Sequence, residues 1–366
     1  MRQSLASKQL WRSIVPVLTA VLMCAGSPGR AVGATEAPKA VGLPLPDGIT
    51  PETQAAIDRG LEFLARTQSR EGAWRHQSGM GGSHPVAMTG LAGFALLASG
   101  STATQGKYAP NITRATNFIL ASARPDGLIS RIEEESRSMY GHGFSMMFLG
   151  QLYGMVDDPQ KQERIHDVLR RAIGLTGRSQ SKMGGWLYTP NSGGDEGSVT
   201  ITQLQGLRSA RNAGVAVPKE VIEQALGYLD KSANSDGGIR YNATGQGHSR
   251  PPITAAAVAC WYNAGQYDHP LATKALEFIK QQIGRDGDSA GGFGHKYYAH
   301  FYMAQVMWLT SEEEWDWYFP TMRDWLLNQQ QPDGSWNGDG VGAVYGTAIA
   351  LTILQMPYGY LPLLQR

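Results

Sequence analysis

A seven-residue motif that occurs three times in clear form decides the fold. It reads Gln68-Ser-Arg-Glu-Gly72-Ala-Trp74 early in the chain, Gln180-Ser-Lys-Met-Gly184-Gly-Trp186 at its middle and Gln330-Gln-Pro-Asp-Gly334-Ser-Trp336 near its end. Weaker copies keep a glycine before an apolar residue, so six turn glycines follow one another: Gly72, Gly127, Gly184, Gly237, Gly291 and Gly334. A spacing of roughly fifty residues is typical of repeat architectures.

The sequence on either side of each turn predicts a pair of helices. Before the first turn, Ile57, Leu61 and Leu64 follow the i, i+4, i+7 spacing of an amphipathic helix. After it, residues 88–98 are apolar almost throughout, which is typical of a helix buried on all sides. We therefore predict six helical hairpins with polar helices outside and apolar helices inside, closed into a ring so that no hairpin is left at an end.

The motif residues have structural roles in this prediction. The glycine supplies the positive φ at which the outer helix ends. The tryptophan packs over the turn, and the glutamine reaches backbone groups of a neighbouring helix end. We therefore expect the motif to hold the ring together and not to bind a ligand.

The amino-terminal residues 1–34 have the order of an export signal. Arg2, Lys8 and Arg12 precede an apolar run from Ile14 to Ala25, and small residues follow before Thr35. The apolar run is shorter than the ~20 residues of a stable membrane span. We predict a signal peptide at 1–34, a linker at 35–50, a single toroid at 51–366, and a periplasmic or extracellular protein after cleavage. A retained anchor is the alternative.

Composition excludes several classes of protein. The chain has 32 basic and 31 acidic residues without a basic face or tail, so we expect no nucleic-acid partner. Only two cysteines occur, Cys24 in the predicted signal and Cys260 in an apolar run, so the mature chain has no cysteine pair for a disulfide or a multi-cysteine metal site. We predict no metal, since His295 and His300 are not at i, i+4 spacing, and no cofactor.

The repeated QxxxGxW motif with alternating helices resembles the terpenoid cyclase and protein prenyltransferase superfamily over residues 50–366. That resemblance implies an all-α fold, the (α/α)6 toroid. More narrowly, the chain resembles exported bacterial proteins, typical of planctomycetes, known as prenyltransferase/squalene-oxidase repeat proteins. The segments that carry this closer likeness are Met139–Phe144, Gly184–Tyr188, Ser198–Thr200, His300–Gln305, Tyr345–Ala350 and Leu361–Arg366. That group implies no particular reaction.

The motifs of the superfamily's enzymes are missing or altered. Squalene-type cyclases protonate an alkene with Asp-x-Asp-Asp, and this sequence has only Asp195-Glu196 at the corresponding kind of position. These two acids are interpreted as a displaced catalytic acid or as a helix cap. The Asp-x-Cys zinc pair of protein prenyltransferases is absent because Val258 stands two residues before Cys260, and the Cys-Gly-Glu-Gln thioester element is absent too.

The first turns of the inner helices should line one mouth of the ring. Helix amino termini favour anions and carbonyl groups, and Tyr and His side chains both stack and hydrogen-bond. We therefore predict one site there, with the candidate catalytic residues Asp195, Glu196 and His300 and the candidate ligand-binding residues His142, Tyr298 and Tyr345.

Three functions fit this sequence. The first is an exported repeat protein whose central cavity binds a small molecule without an assignable reaction. The second is a terpene cyclase- or mutase-like enzyme that acts on a terpenoid with an acid at Asp195 or Glu196. The third is a carbohydrate-active enzyme built on an (α/α)6 ring. The expected partner is thus a terpenoid or a carbohydrate, and the cavity lining separates the alternatives: a deep, dry, aromatic pocket favours a terpenoid and an open polar groove favours a sugar.

Overall fold

A computed structural model describes residues 44–76, 82–283 and 295–365. The described residues from Leu45 onward belong to one compact unit. Twelve α-helices lie in this part of the chain, and no strand of a sheet occurs among the described residues. The predicted signal peptide, most of the linker and the turn at Gly291 lie outside the described residues, so the first two assignments stay predictions.

The helices alternate between an outer and an inner position. The outer helices are α1 (Pro51–Thr67), α3 (Ala109–Ala121), α5 (Pro159–Arg178), α7 (Lys219–Lys231), α9 (Pro270–Ile283) and α11 (Glu312–Gln329). The inner helices are α2 (Pro85–Leu97), α4 (Ser138–Tyr153), α6 (Gly197–Asn212), α8 (Pro251–Asn263), α10 (Lys296–Thr310) and α12 (Ala343–Leu354). Two short 3₁₀ helices, Met356–Tyr358 and Pro362–Leu364, follow.

Burial separates the two sets of helices as their sequences predict. Every residue of α2 is buried, whereas α7 buries only Ala225, Leu226, Tyr228 and Leu229. Each inner helix contacts the inner helix of the next hairpin, and α12 returns to α2. The prediction of six hairpins closed into an (α/α)6 ring is confirmed.

The turn motif connects each hairpin to the next one. The positive-φ glycine Gly184 lies so close to α7 that a Cβ there would be 2.2 Å from the carbonyl oxygen of Gln224. Trp186 is buried and donates its indole N–H to the carbonyl of Thr176 at 2.8 Å. The amide of Gln180 donates to the carbonyl of Val221 in the first turn of α7, at 2.9 Å. These contacts are the structural roles that the sequence predicted.

The last motif closes the ring on the first helix. Gln330 donates to the carbonyl of Ala56 in α1 at 2.9 Å. A Cβ on Gly334 would lie 2.6 Å from the carbonyl oxygen of Arg59, so glycine is required here as well. The contact between hairpins six and one therefore repeats the contact that the motif at Gly184 makes with α7, although Gly334 and α1 are far apart in the sequence.

Candidate ligand-binding site

In four hairpins, one position of the inner helix supports the turn that precedes it. A threonine hydroxyl at this position accepts the backbone N–H of the apolar residue after the turn glycine, at 2.8 to 3.1 Å. The four donor and acceptor pairs are Trp74 with Thr89, Trp186 with Thr200, Ile239 with Thr254, and Trp336 with Thr347. This bond satisfies a buried backbone donor and fixes the hairpin.

His142 occupies the same position in the second hairpin. Its Nδ1 accepts the backbone N–H of Ile129 at 3.1 Å, so the ring is neutral, carries its proton on Nε2 and donates to Thr176 Oγ1 at 3.0 Å. The side chain is completely buried, and burial lowers the pKa of His142 to about 4. Because the ring points at α5, the structure does not bring His142 into a shared site at the mouth.

His300 is the fifth residue of α10, as His142 is of α4. Its Nδ1 lies 3.0 Å from the hydroxyl of Tyr318 on the outer helix α11. Burial, together with the positive charge of Lys296, lowers the pKa of His300 to about 4. His300 therefore also lies between an inner and an outer helix, away from the mouth, which does not fit the predicted catalytic role.

The two neighbouring acids before α6 point in different directions. The Asp195 carboxylate accepts the Ser181 hydroxyl at 2.9 Å, on the side of the turn and of α7. Glu196 is the N-cap residue of α6 and accepts the backbone N–H groups of Ser198 and Val199 at 2.9 and 2.8 Å. The structure thus places Glu196 at the mouth and as a helix cap, and it places Asp195 away from the mouth.

The residue two places before the turn-supporting position faces the ring axis. Two residues rotate an α-helix by about 200°, so these side chains lie opposite the four threonines, His142 and His300. They include the predicted Tyr298 and Tyr345, and in full the set is Ala87, Tyr140, Ser198, Pro252, Tyr298 and Tyr345. Three tyrosines therefore converge on the axis at the amino-terminal end of the inner helices.

Glu196 joins this group through Tyr140. The Tyr140 hydroxyl lies 2.6 Å from Ser198 Oγ and donates to Glu196 Oε1 at 3.2 Å. Burial raises the pKa of Glu196, although hydrogen bonds from Ser198, Val199 and Tyr140 partly offset that effect. The predicted Glu196, Tyr298 and Tyr345 are thus brought into one region, with Tyr140 between them.

Tyr298 and Tyr302 place hydroxyl groups with no well-formed hydrogen bond in this region. Their rings meet edge-on with centroids 5.0 Å apart. Neither hydroxyl has a hydrogen bond of normal geometry to a described residue, although that of Tyr302 lies near Thr202 and Tyr298. Burial raises the pKa of Tyr298 well above its ordinary value. Both hydroxyl groups are thus buried without a well-formed hydrogen bond among the described residues.

Two further tyrosines extend the region toward solvent. The hydroxyl of Tyr188 is hydrogen-bonded to that of Tyr241. The guanidinium of Arg137 lies 4.5 Å from the ring centroid of Tyr188, and that of Arg250 lies 5.1 Å from the ring centroid of Tyr241. We call the surface formed by Tyr140, Tyr188, Tyr241, Tyr298 and Tyr345, with Glu196 and Ser198, the tyrosine recess.

The tyrosines of the recess are largely buried. Burial raises the pKa of Tyr140 and Tyr298 strongly, yet both side chains keep accessible surface, as expected for the wall of a recess. Deeper along the axis, the buried Gln205 of α6 donates to Gln305 of α10 at 3.4 Å, across the ring. Side chains therefore fill the ring centre below the recess, at least over its described residues.

Asp339 is a site residue that the sequence reasoning missed. It lies in the turn before α12, and its carboxylate accepts the backbone N–H groups of Tyr297 and Tyr298 at 3.1 Å each. It is a non-glycine residue at φ 49°, and burial raises its pKa. Asp339 thus fixes the start of α10 from the neighbouring hairpin and adds to the negative charge near Tyr345.

Neither a cluster of metal ligands nor a membrane-spanning helix occurs among the described residues. No group of three metal-ligating side chains occurs there. No helix in the described ranges has the length and apolar character needed to cross a bilayer. Tyr140 and Tyr188 lie in segments that carry the family resemblance, but the sequence reasoning did not select them as site residues. Tyr241 and Asp339 carry no local motif.

Comparison with known proteins identifies the fold. No family model matches the sequence, and no curated protein matches it significantly. Among solved structures, the type II terpene cyclase MstE of Scytonema is similar over 84% of this chain and 98% of its own, with a TM-score of 0.59 and 14% identity. An inactive variant of an α-1,6-mannanase of Salegentibacter, in complex with α-1,6-mannotetrose, is similar over 84% of this chain and 98% of its own, with a TM-score of 0.63 and 10% identity.

Both neighbours have (α/α)6 toroid folds, and at these identities they establish the fold alone. A variant of MstE has been solved in complex with the substrate geranylgeranyl dihydroxybenzoate. One neighbour thus binds a terpenoid and the other an oligosaccharide. This protein is an (α/α)6 toroid with a tyrosine recess at the mouth where its inner helices begin.

Proposed function

We propose that the tyrosine recess binds a hydroxylated small molecule of the carbohydrate class, in a protein that is exported. The observation that carries this proposal is the cluster of partly exposed tyrosine rings at the mouth, in which the hydroxyl of Tyr298 lacks a hydrogen bond of normal geometry. Sugars combine hydroxyl groups with apolar C–H faces, so they match a surface that both hydrogen-bonds and stacks.

The floor of the recess favours a sugar over a long prenyl chain. A terpenoid needs a deep apolar cavity, whereas the Gln205–Gln305 hydrogen bond and the buried side chains around it occupy the axis. Polar groups adjoin the tyrosines, with Ser198 and the buried Glu196 on one side and Asp339 on the other. These features support binding at the mouth and not inside the ring.

The carboxylates support binding without a reaction. A glycosidase needs two carboxyl groups that are free to exchange protons with its substrate. Here Glu196 caps α6 and Asp339 caps α10, each through two backbone N–H groups. Both carboxylates are thus engaged in holding the mouth together, which favours a binding protein with no assignable reaction over a carbohydrate-active enzyme.

The experiment is a binding assay with a matched pair of variants. Isothermal titration of the purified protein against mannose oligosaccharides and other neutral sugars should detect saturable binding. Tyr298→Phe should weaken it about 5- to 10-fold, as expected for the loss of one hydrogen bond. Its melting temperature should change little, because no described hydrogen bond is lost. Tyr267→Phe, at a half-exposed tyrosine of the loop after α8, is the control and should bind normally.

Two results would contradict the proposal. One is binding of prenyl compounds with no binding of any sugar. The other is equal sugar affinity in the Tyr298→Phe variant and the parent protein, which would place the ligand elsewhere. Mass spectrometry of small molecules that co-purify with the protein identifies the natural ligand independently.

A terpene cyclase-like activity is the second candidate, and one observation favours it. Glu196 is a buried carboxyl group with a raised pKa beside the recess, as expected of a proton donor to an alkene. Incubation with geranylgeranyl substrates and analysis of the products by gas chromatography tests this candidate. Product formation that Glu196→Gln abolishes while Asp195→Asn retains it would support a cyclase.

A further inference from the structure

A second cavity lies near the carboxyl-terminal ends of two inner helices. It lies between α6, α7 and α8, and its lining includes Arg208, Arg211 and Asn263. Ten residues separate Arg208 from Ser198 of the tyrosine recess, which corresponds to about 15 Å along α6. We call this space the arginine cavity; it is distinct from the recess at the other end of the same helix.

Buried polar atoms without partners face the arginine cavity. Arg208 Nε and Asn263 Nδ2 are hydrogen-bond donors, and neither has a partner among the described residues. Asn263 is buried, with only 9% of its surface exposed. Leaving a buried donor unpaired costs about 1–3 kcal/mol, so two of them around one cavity indicate an occupant that accepts hydrogen bonds. Gln205 Oε1 is also unpaired on this wall.

Two positive charges lie at the cavity. Arg208 and Arg211 both line it, and no Asp or Glu is among its described lining residues. Burial and Arg211 together lower the pKa of Arg208. Favourable contact with the carboxyl-terminal dipole of α6 accounts for the exposed Arg211 in the last turn, but it does not satisfy the buried Nε of Arg208.

We propose that the arginine cavity binds the carboxylate of a short-chain organic acid. A carboxylate accepts the N–H groups of a guanidinium in a planar, paired geometry, and Asn263 supplies a further donor. The walls are otherwise apolar, formed by Leu204, Leu226 and Cys260 among others, and suit a short hydrocarbon chain. The cavity volume is ≈ 20 Å³, which suits a compact head group and not a large polyanion.

The test compares butyrate with its neutral isostere. Isothermal titration of the full mature protein should show saturable binding of butyrate and at least 10-fold weaker binding of butyramide. Arg208→Gln should weaken butyrate binding at least 10-fold. Arg164→Gln, at an exposed arginine of α5, is the matched control and should leave the affinity unchanged.

The melting temperature without ligand gives a second readout. If Arg208 serves a ligand, Arg208→Gln should keep or raise the melting temperature of the empty protein, because it removes a half-buried positive charge next to Arg211. If Arg208 serves only the end of α6, the same change should lower it. The proposal is overturned by a clear drop in melting temperature, by equal affinity for butyrate and butyramide, or by tighter binding of phosphate than of butyrate.

Discussion

Replacing His142 by threonine should remove part of the pH dependence of stability. Burial lowers the pKa of His142 from an ordinary value of 6.5 to about 4. Between these values the unfolded chain binds a proton that the folded chain does not, so folding becomes less favourable as the pH falls from about 6.5 to 4. Threonine is the residue that four other hairpins use at this position, and it does not titrate.

The expected size of the effect follows from the shift. A pKa difference of about 2.5 units corresponds to about 3 kcal/mol once the pH is below 4, and to about 2 kcal/mol between pH 8 and pH 5. The parent protein should therefore lose about 2 kcal/mol more than His142→Thr over that interval. The variant should be less stable at pH 8, because the hydrogen bond from His142 to Thr176 is lost and a smaller side chain leaves space behind.

Urea titrations at pH 8, 7, 6 and 5 measure this difference. Buried acids such as Glu196 change the slope in the opposite direction, but they are the same in both proteins and cancel in the comparison. His166→Thr, at an exposed position of α5, is the control for removal of a histidine as such. Equal slopes in the parent protein and in His142→Thr would refute the reasoning and would mean that His142 titrates as an accessible group, as expected for a ligand-binding residue.

Three further predictions test the turn motif and the amino terminus. Trp186→Ala should destabilise the protein by roughly 3–5 kcal/mol in a denaturant titration, since the side chain is buried and hydrogen-bonded; Trp317→Ala, at a partly exposed site, should cost less than about 1 kcal/mol. Gly184→Ala should destabilise by at least about 2 kcal/mol because of its positive φ and its close approach to Gln224, whereas Gly227→Ala in α7, with open space around it, should stabilise by up to about 1 kcal/mol. Amino-terminal sequencing of the exported protein should begin at or near Thr35, and recovery of residues 1–20 would instead support an anchor.

The fold was predictable because it depends on a pattern that repeats. Gly72, Gly184 and Gly334 share one backbone conformation, and each requires glycine for the same reason, a carbonyl of the next outer helix. Helical periodicity then decides which side chains are buried. Information of this kind is local and is present several times over, so a single irregular hairpin does not obscure it.

The site was only partly predictable because its residues depend on register. The sequence reasoning selected Glu196, Tyr298 and Tyr345, which the structure brings to the mouth, together with His142 and His300, which point outward. The histidines were chosen for their chemistry, although alignment with Thr89 and Thr200 separates them from the axis-facing tyrosines. Asp339 was missed for a different reason: it acts on α10 from the turn of the following hairpin, and spacing along the chain does not indicate such a contact.

Closure of the ring by Gln330 and Gly334 also affects how the protein unfolds. In an open solenoid the terminal repeats have one neighbour each and fray first. Here α1 is held by the sixth motif through the carbonyls of Ala56 and Arg59, so neither end of the array is free to open alone. Amide hydrogen exchange in α1 and α12 should therefore be as slow as in α6, and loss of the single Gln330 contact should speed exchange at both of them together.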